Sequence, residues 1–294
     1  MKHMAAYLGP KGTFTQEAAE YLLPAEDYDF VPFNTIPDCI NAVDKGTVHL
    51  GVVPVENTIE GSVNMTLDWL AHEVDIPITG ELVYPISQHL MVHENREELA
   101  FSEFKKIISH PQALAQCRLF LRENMPQAEI EYTDSTAEAA RMISENPDEP
   151  WIAIGNRLAK EIYGLRYLVE AAEDHGQNYT RFIVVGEEPQ GLTKEGIAHK
   201  TSLLITLPED FPGALHQVLA AFAWRKINLT RIESRPTKKG LGSYHFFIDV
   251  DMEANNVLLQ GATAEIQALG CGLRQLGSYP CYAYAQRLSN PASR

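Results

Sequence analysis

A change of rhythm near residue 187 constrains this chain more than any single residue in it. Before that point, short apolar runs at 5–8, 49–53, 106–108, 130–132, 151–154 and 182–185 alternate with segments of helical period. Those helical segments fall at about 15–23, 36–43, 63–73, 111–123, 137–145 and 157–162. Strands alternating with helices imply a mainly parallel α/β sheet with helices packed on it. A polar stretch containing Gly and Pro at 187–199 reads as a linker. The order then becomes strand 201–207, helix 212–225, strand 228–233, turn 238–242, strand 244–250, helix 254–269 and strand 272–276. A β-α-β-β-α-β order in under about 80 residues is the ferredoxin-like plan. The expected division is therefore 1–186, a linker over 187–199, and a second domain over 200–285.

Charge narrows the partners. The 294 residues carry a formal charge of −15, which argues against nucleic acid or an anionic membrane as a partner. No apolar run approaches the roughly 18 residues of a membrane span, and no signal-peptide order opens the chain. Four scattered cysteines without C-x-x-C spacing read as reduced thiols, so a cytoplasmic location is expected. His89 and His93 lie four apart on a strand-like segment with no third ligand at metal spacing, so no metal is expected. An anionic metabolite must then be held by local donors, with the long-range repulsion screened over roughly 8 Å at physiological salt.

Such donors recur where predicted strands run into helices. Thr13 followed by Gln16, and Ser135 followed by Glu138, fit the capping-box pattern. Ser109-His110-Pro111-Gln112 puts Pro near the first helical position. Each is also what plain helix capping looks like. Several such N-termini facing one crevice would make an anion-binding cleft at the carboxyl ends of the strands.

Five stretches stand in a fixed order: Gly9-Pro10-Lys11-Gly12-Thr13-Phe14, Pro54 to Gly61 (PVENTIEG), Ser109-His110-Pro111-Gln112-Ala113, Asn178-Tyr179-Thr180-Arg181-Phe182, and Glu233-Ser234-Arg235-Pro236. Together they resemble the prephenate dehydratase family, from residue 5 to about 285. The resemblance implies a two-lobed catalytic domain of the type II periplasmic-binding-protein kind, followed by a regulatory ACT domain. It implies decarboxylation and dehydration of prephenate to phenylpyruvate without a cofactor, and inhibition by L-phenylalanine. It also implies a homodimer or homotetramer. Because the Gly9–Phe14 motif starts almost at once, a single activity is expected, with no chorismate mutase bundle ahead of it.

The resemblance implies catalytic roles for Thr180, Arg181 and Phe182. Thr180 would donate to the leaving hydroxyl and Phe182 would shape the pocket. Arg181 would anchor a carboxylate through its planar fork, the local cation that a chain at −15 needs. Thr13, Asn57, Thr58, Ser109, Gln112, Ser135 and Asn178 would line the substrate cleft, Thr58 standing where the family often has Ser. Glu56 and Glu60 read as structural carboxylates rather than an acid/base pair. Gly213, Ala214 and Leu215, with Glu233, Ser234 and Arg235, would form the phenylalanine site between ACT domains of two subunits. Two other readings stay open: an arogenate dehydratase, and a metabolite-binding regulator without catalysis.

Overall fold

A computed structural model of the chain describes residues 2–209, 211–238 and 243–284. Beyond Lys238, the turn expected at 238–242 lies outside the described residues. The first lobe orders its strands Ile78–Pro85, Tyr179–Gly186, Leu50–Asn57, His3–Leu8 and Tyr28–Phe33. The second orders Arg166–Val169, His89–Val92, Trp151–Gly155, Lys106–Ser109 and Glu129–Tyr132. In each lobe three adjacent parallel strands are followed by one that runs against them and a fifth that runs with them again. This is the two-lobed periplasmic-binding-protein plan.

The expectation of a mainly parallel sheet holds within each lobe, with a single strand reversed by connectivity. The chain leaves the first lobe through Ile78–Pro85 and returns through Tyr179–Gly186. A returning strand must run against its neighbours, and Tyr179–Gly186 is antiparallel to both of its own. Tyr28–Phe33 escaped notice because Pro32 interrupts it, and Pro is tolerated there only because the strand is an edge. The helix expected over 111–123 is two, Pro111–Gln116 and Arg118–Asn124. The Asp174 carboxylate supplies the restart by accepting from the Leu119 and Phe120 N–H groups.

The C-terminal strands stand in the order Leu229–Pro236, Tyr244–Val250, Ala198–Thr206, Gly272–Ala283, all antiparallel. The helices Ala214–Ala223 and Val257–Ala268 share one core with them, where Val218, Phe222, Ile248, Leu259 and Ile266 are buried. The ferredoxin-like plan holds. The first of these strands starts at Ala198, inside the stretch read as a linker. The last runs to Ala283 rather than ending at Leu276, and its end pairs in parallel with Ile78–Pro85. Gly277 and Pro280 hid that extension, since both residues weaken a strand pattern. The two sheets thus join as one, which the short strand Gly61–Ser62, paired to Leu50–Asn57, brings to ten strands. Tyr279 and Cys281 are buried in the core of the first lobe. All four cysteines are free and buried.

Candidate active site

A strand sends alternate side chains to opposite faces. On Tyr179–Gly186 this puts Thr180 and Phe182, both buried, on one side and Arg181 on the other. Thr180 and Phe182 line a cleft of about 390 Å3 between the lobes, together with Thr13, Asn57, Gln112, Ser135 and Asn178. The neighbouring strand lies in register, Thr180 opposite Asn57 and Arg181 opposite Glu56.

Hydrogen bonding fixes what the Thr180 hydroxyl can do. Asn57 Nδ2 donates to Thr180 Oγ1 and to Asn178 Oδ1, both at 2.8 Å. Asn57 Oδ1 is held in turn by the Ile59 and Glu60 N–H groups, at 2.9 and 3.0 Å. With the amide donating to its oxygen, Thr180 keeps its own hydrogen for a group in the cleft. Gln116 Oε1 accepts from Asn178 Nδ2 at 3.3 Å and from Gln88 Nε2 at 3.1 Å, so the amide chain extends from the first lobe into the second.

Helices from both lobes begin at the cleft, Pro111–Gln116 with its His110 cap among them, and two of the others carry hydroxyl caps. Thr13 caps Phe14–Leu22 by accepting from the Gln16 N–H at 3.3 Å, and Ser135 caps Thr136–Glu145 by accepting from the Glu138 N–H at 3.1 Å. Caps satisfy only part of each first turn, so further N–H groups and two positive dipole ends are available to a carboxylate. The cleft lining holds no Lys or Arg among the described residues; Glu60, Asp134 and His110 are its titratable members.

Three of the expected site residues sit elsewhere. Arg181 Nη2 is 2.7 Å from Asp249 Oδ2, with Glu56 at 3.5 Å and Glu81 at 3.6 Å, so its charge is matched before any substrate arrives. Burial works against that charge, but Asp249 and Glu81 outweigh it and hold the guanidinium firmly protonated. The carboxylate-anchor reading of Arg181 is corrected on this geometry: strand alternation turns it away from the cleft. Ser109 is fully buried and donates to the Ile154 carbonyl at 2.7 Å, stitching two strands of the second lobe. Thr58 Oγ1 accepts from the Tyr179 N–H at 2.9 Å and braces the strand from outside the cleft. Gln88 and Gln116 line the cleft and were missed, because an isolated glutamine carries no spacing signal until both lobes surround it.

The expected effector residues also separate. Gly213, Ala214 and Leu215 line a surface cavity of about 750 Å3 with Phe211, Tyr244 and Phe246. Gly213 takes φ +96° as the helix begins, a left-handed turn that glycine allows. Glu233 and Arg235 lie on the edge strand instead and face the first lobe. Glu233 Oε2 accepts from Ser62 Oγ at 2.8 Å, and Arg235 is 3.8 Å from Asp68. Ser234 is exposed. Within one chain the two halves do not meet.

The prephenate dehydratase family model matches residues 5–190. The chain belongs to the prephenate dehydratase family. An ACT domain matches residues 201–265. The prephenate dehydratase of Bacillus subtilis is 43% identical over 94% of this chain and 98% of its own. The solved prephenate dehydratase of Arthrobacter aurescens, in complex with L-Phe, is 36% identical, covers 99% of this chain and 92% of its own, and superposes with a TM-score of 0.82. A quorum-quenching acylase also superposes, at 27% identity and TM-score 0.81, over 95% of this chain and 97% of its own.

One buried acid bridges the lobes of this family member. Glu17, on the first-lobe helix, lies 3.3 Å from Arg157 of the second lobe and is 6% exposed. Burial pushes its carboxyl up to about 7, against the opposing pull of Arg157. A raised folded-state pKa means the native chain binds the proton more tightly than the unfolded one, so this contribution to stability is lost as pH rises towards 7. The Glu17→Gln variant is expected to flatten the fall in melting temperature between pH 5 and pH 8. Parallel profiles for the two proteins would refute that role.

Proposed function

We propose that this chain converts prephenate to phenylpyruvate, carbon dioxide and water, and that L-phenylalanine bound to its ACT domain inhibits the reaction. The observation that carries the catalytic reading is the Asn57–Thr180 pair, which leaves a donor hydroxyl fixed inside the cleft. In the reaction the ring carboxylate departs as CO2. The electron pair of that C–C bond moves through the ring, the ring C–O bond breaks, the departing hydroxide takes a proton from solvent to become water, and the ring becomes aromatic. Thr180 donates to the departing hydroxyl, where negative charge develops. The first turns of Phe14–Leu22 and Thr136–Glu145 hold the side-chain carboxylate. Phe14, Val63, Ile86 and Phe182 give the ring an apolar bed, where the departing carboxylate gains little stabilisation.

The division of labour follows the chain: catalysis over 1–186, a connecting stretch from 187 to the strand that starts at Ala198, and regulation from there to about 285. The separation of Gly213–Leu215 from Glu233–Arg235 within one chain supports an effector site completed by a second subunit, in a homodimer or homotetramer. Its free cysteines and acidic charge fit the cytoplasm. An acylase would need a nucleophile paired with a base. In the cleft the Thr180 hydroxyl bonds an amide rather than a base, which favours the dehydratase.

The test is direct: incubate the purified chain with prephenate and follow phenylpyruvate by its absorbance in base, with and without phenylalanine. Arogenate serves as the parallel substrate. Product from prephenate, suppressed by phenylalanine, is the expected result; turnover of arogenate alone would overturn it.

A further inference from the structure

Two adjacent rungs of the sheet face opposite ways. Thr180 and Asn57 form one rung and point into the cleft; Arg181 and Glu56 form the next and point at the ACT domain. On that far side Arg181 grips Asp249 of the ACT strand Tyr244–Val250 at 2.7 Å. Ser202 Oγ donates to the other oxygen of Asp249 at 2.5 Å. Glu56 lies 3.9 Å from Arg231, whose Nη2 donates to Ser62 Oγ at 3.0 Å. That same Ser62 hydroxyl donates to Glu233.

We propose that the Glu56–Arg181 rung couples the ACT domain to the catalytic hydroxyl, both residues acting as positioning residues rather than substrate ligands. The inference rests on the reading of phenylalanine as effector and names the route by which its binding is felt. Arg181, Asp249 and Glu81 have side chains only 12%, 5% and 1% exposed. Parting opposite charges in so dry a place is strongly unfavourable, so they move together. A shift of the Tyr244–Val250 strand therefore drags Arg181, and Thr180 is the next residue along the backbone. Displacement of a reacting group by about 1 Å is enough to lose about 10²-fold in rate. A brace without coupling would hold the fold equally well, so the test must read inhibition and not only stability.

The full-length Glu56→Gln and Asp249→Asn variants decide it, compared with wild type in three measurements. These are uninhibited prephenate turnover, the half-inhibitory phenylalanine concentration, and the phenylalanine Kd by calorimetry without substrate. The Glu56 side chain is 41% exposed, so its variant keeps the fold even where loss of buried Asp249 does not. The calorimetric Kd is expected within about threefold of wild type, while the half-inhibitory concentration, measured against each variant's own uninhibited rate, rises about tenfold or more. Inhibition of Glu56→Gln at the wild-type concentration, or a rise that merely follows weaker phenylalanine binding, overturns the coupling alone. Wild-type turnover that ignores phenylalanine overturns the effector reading, and this inference with it.

Discussion

Replacing Thr180 by Ala is expected to lower kcat for prephenate by about 10²–10³-fold, the usual loss when a preorganised donor to a developing charge is removed. The Thr180 hydroxyl bonds across the first-lobe rung to Asn57 Nδ2 at 2.8 Å. Removing it leaves the two N–H groups of that amide with Asn178 Oδ1 at 2.8 Å and the Tyr179 carbonyl at 3.3 Å, so no donor is stranded. The melting temperature should change little, and the loss should fall on kcat more than on KM, because the interaction matters most as the C–O bond breaks. Thr180→Ser keeps the hydroxyl and should retain most of the rate, whereas Thr180→Val keeps the shape and should behave like Ala. Rapid-mixing turnover measured beside thermal unfolding separates these outcomes. A Thr180→Val enzyme with near-normal kcat would remove Thr180 from the chemistry.

Much of the fold was legible because local patterns and final structure agree. The change of rhythm near 187 separates an α/β region from a ferredoxin-like one, and the motif order brings seven cleft residues together. What the sequence hid was direction. T-R-F reads as a contiguous catalytic unit, yet a strand cannot aim three consecutive side chains at one substrate, and Arg181 serves the far face. Even at −15 the chain needs no cation in the cleft, because backbone N–H groups at helix N-termini can do the same work. Glu56 looked unpartnered because its cations, Arg181 and Arg231, are 125 and 175 residues away in the chain. Tertiary pairing of that range leaves no trace in spacing.

The second large effect concerns how the lobes meet. Gly12 sits at φ +89°, and a β-carbon there would stand 3.2 Å from the Tyr163 ring, 3.3 Å from the Ala159 Cα and 3.4 Å from the Ala137 Cβ. All three neighbours belong to second-lobe helices, while Gly12 belongs to the first-lobe loop that ends in the Thr13 cap. The contact is part of a wider seam, in which Tyr163 Oη donates to the Lys11 carbonyl at 3.1 Å and Arg157 faces Glu17. Gly12→Val therefore adds bulk where the backbone of one lobe touches the other, and it strains a left-handed residue by about 1–2 kcal/mol. Each lobe keeps its own core, since none of the buried clusters depends on Gly12, so the protein should still fold. The lobes, however, are held apart by a fraction of a side chain, and the two helix N-termini no longer converge on one carboxylate. We expect kcat/KM to fall by about 10²-fold, the scale associated with misplacement near 1 Å. X-ray scattering should show a slightly larger radius of gyration than wild type. Gly12→Ala, with less bulk, should fall between the two. A Gly12→Val enzyme with unchanged kcat/KM would show that catalysis tolerates the open seam, and the convergence of the two helices would then have to be abandoned as the means of holding the substrate.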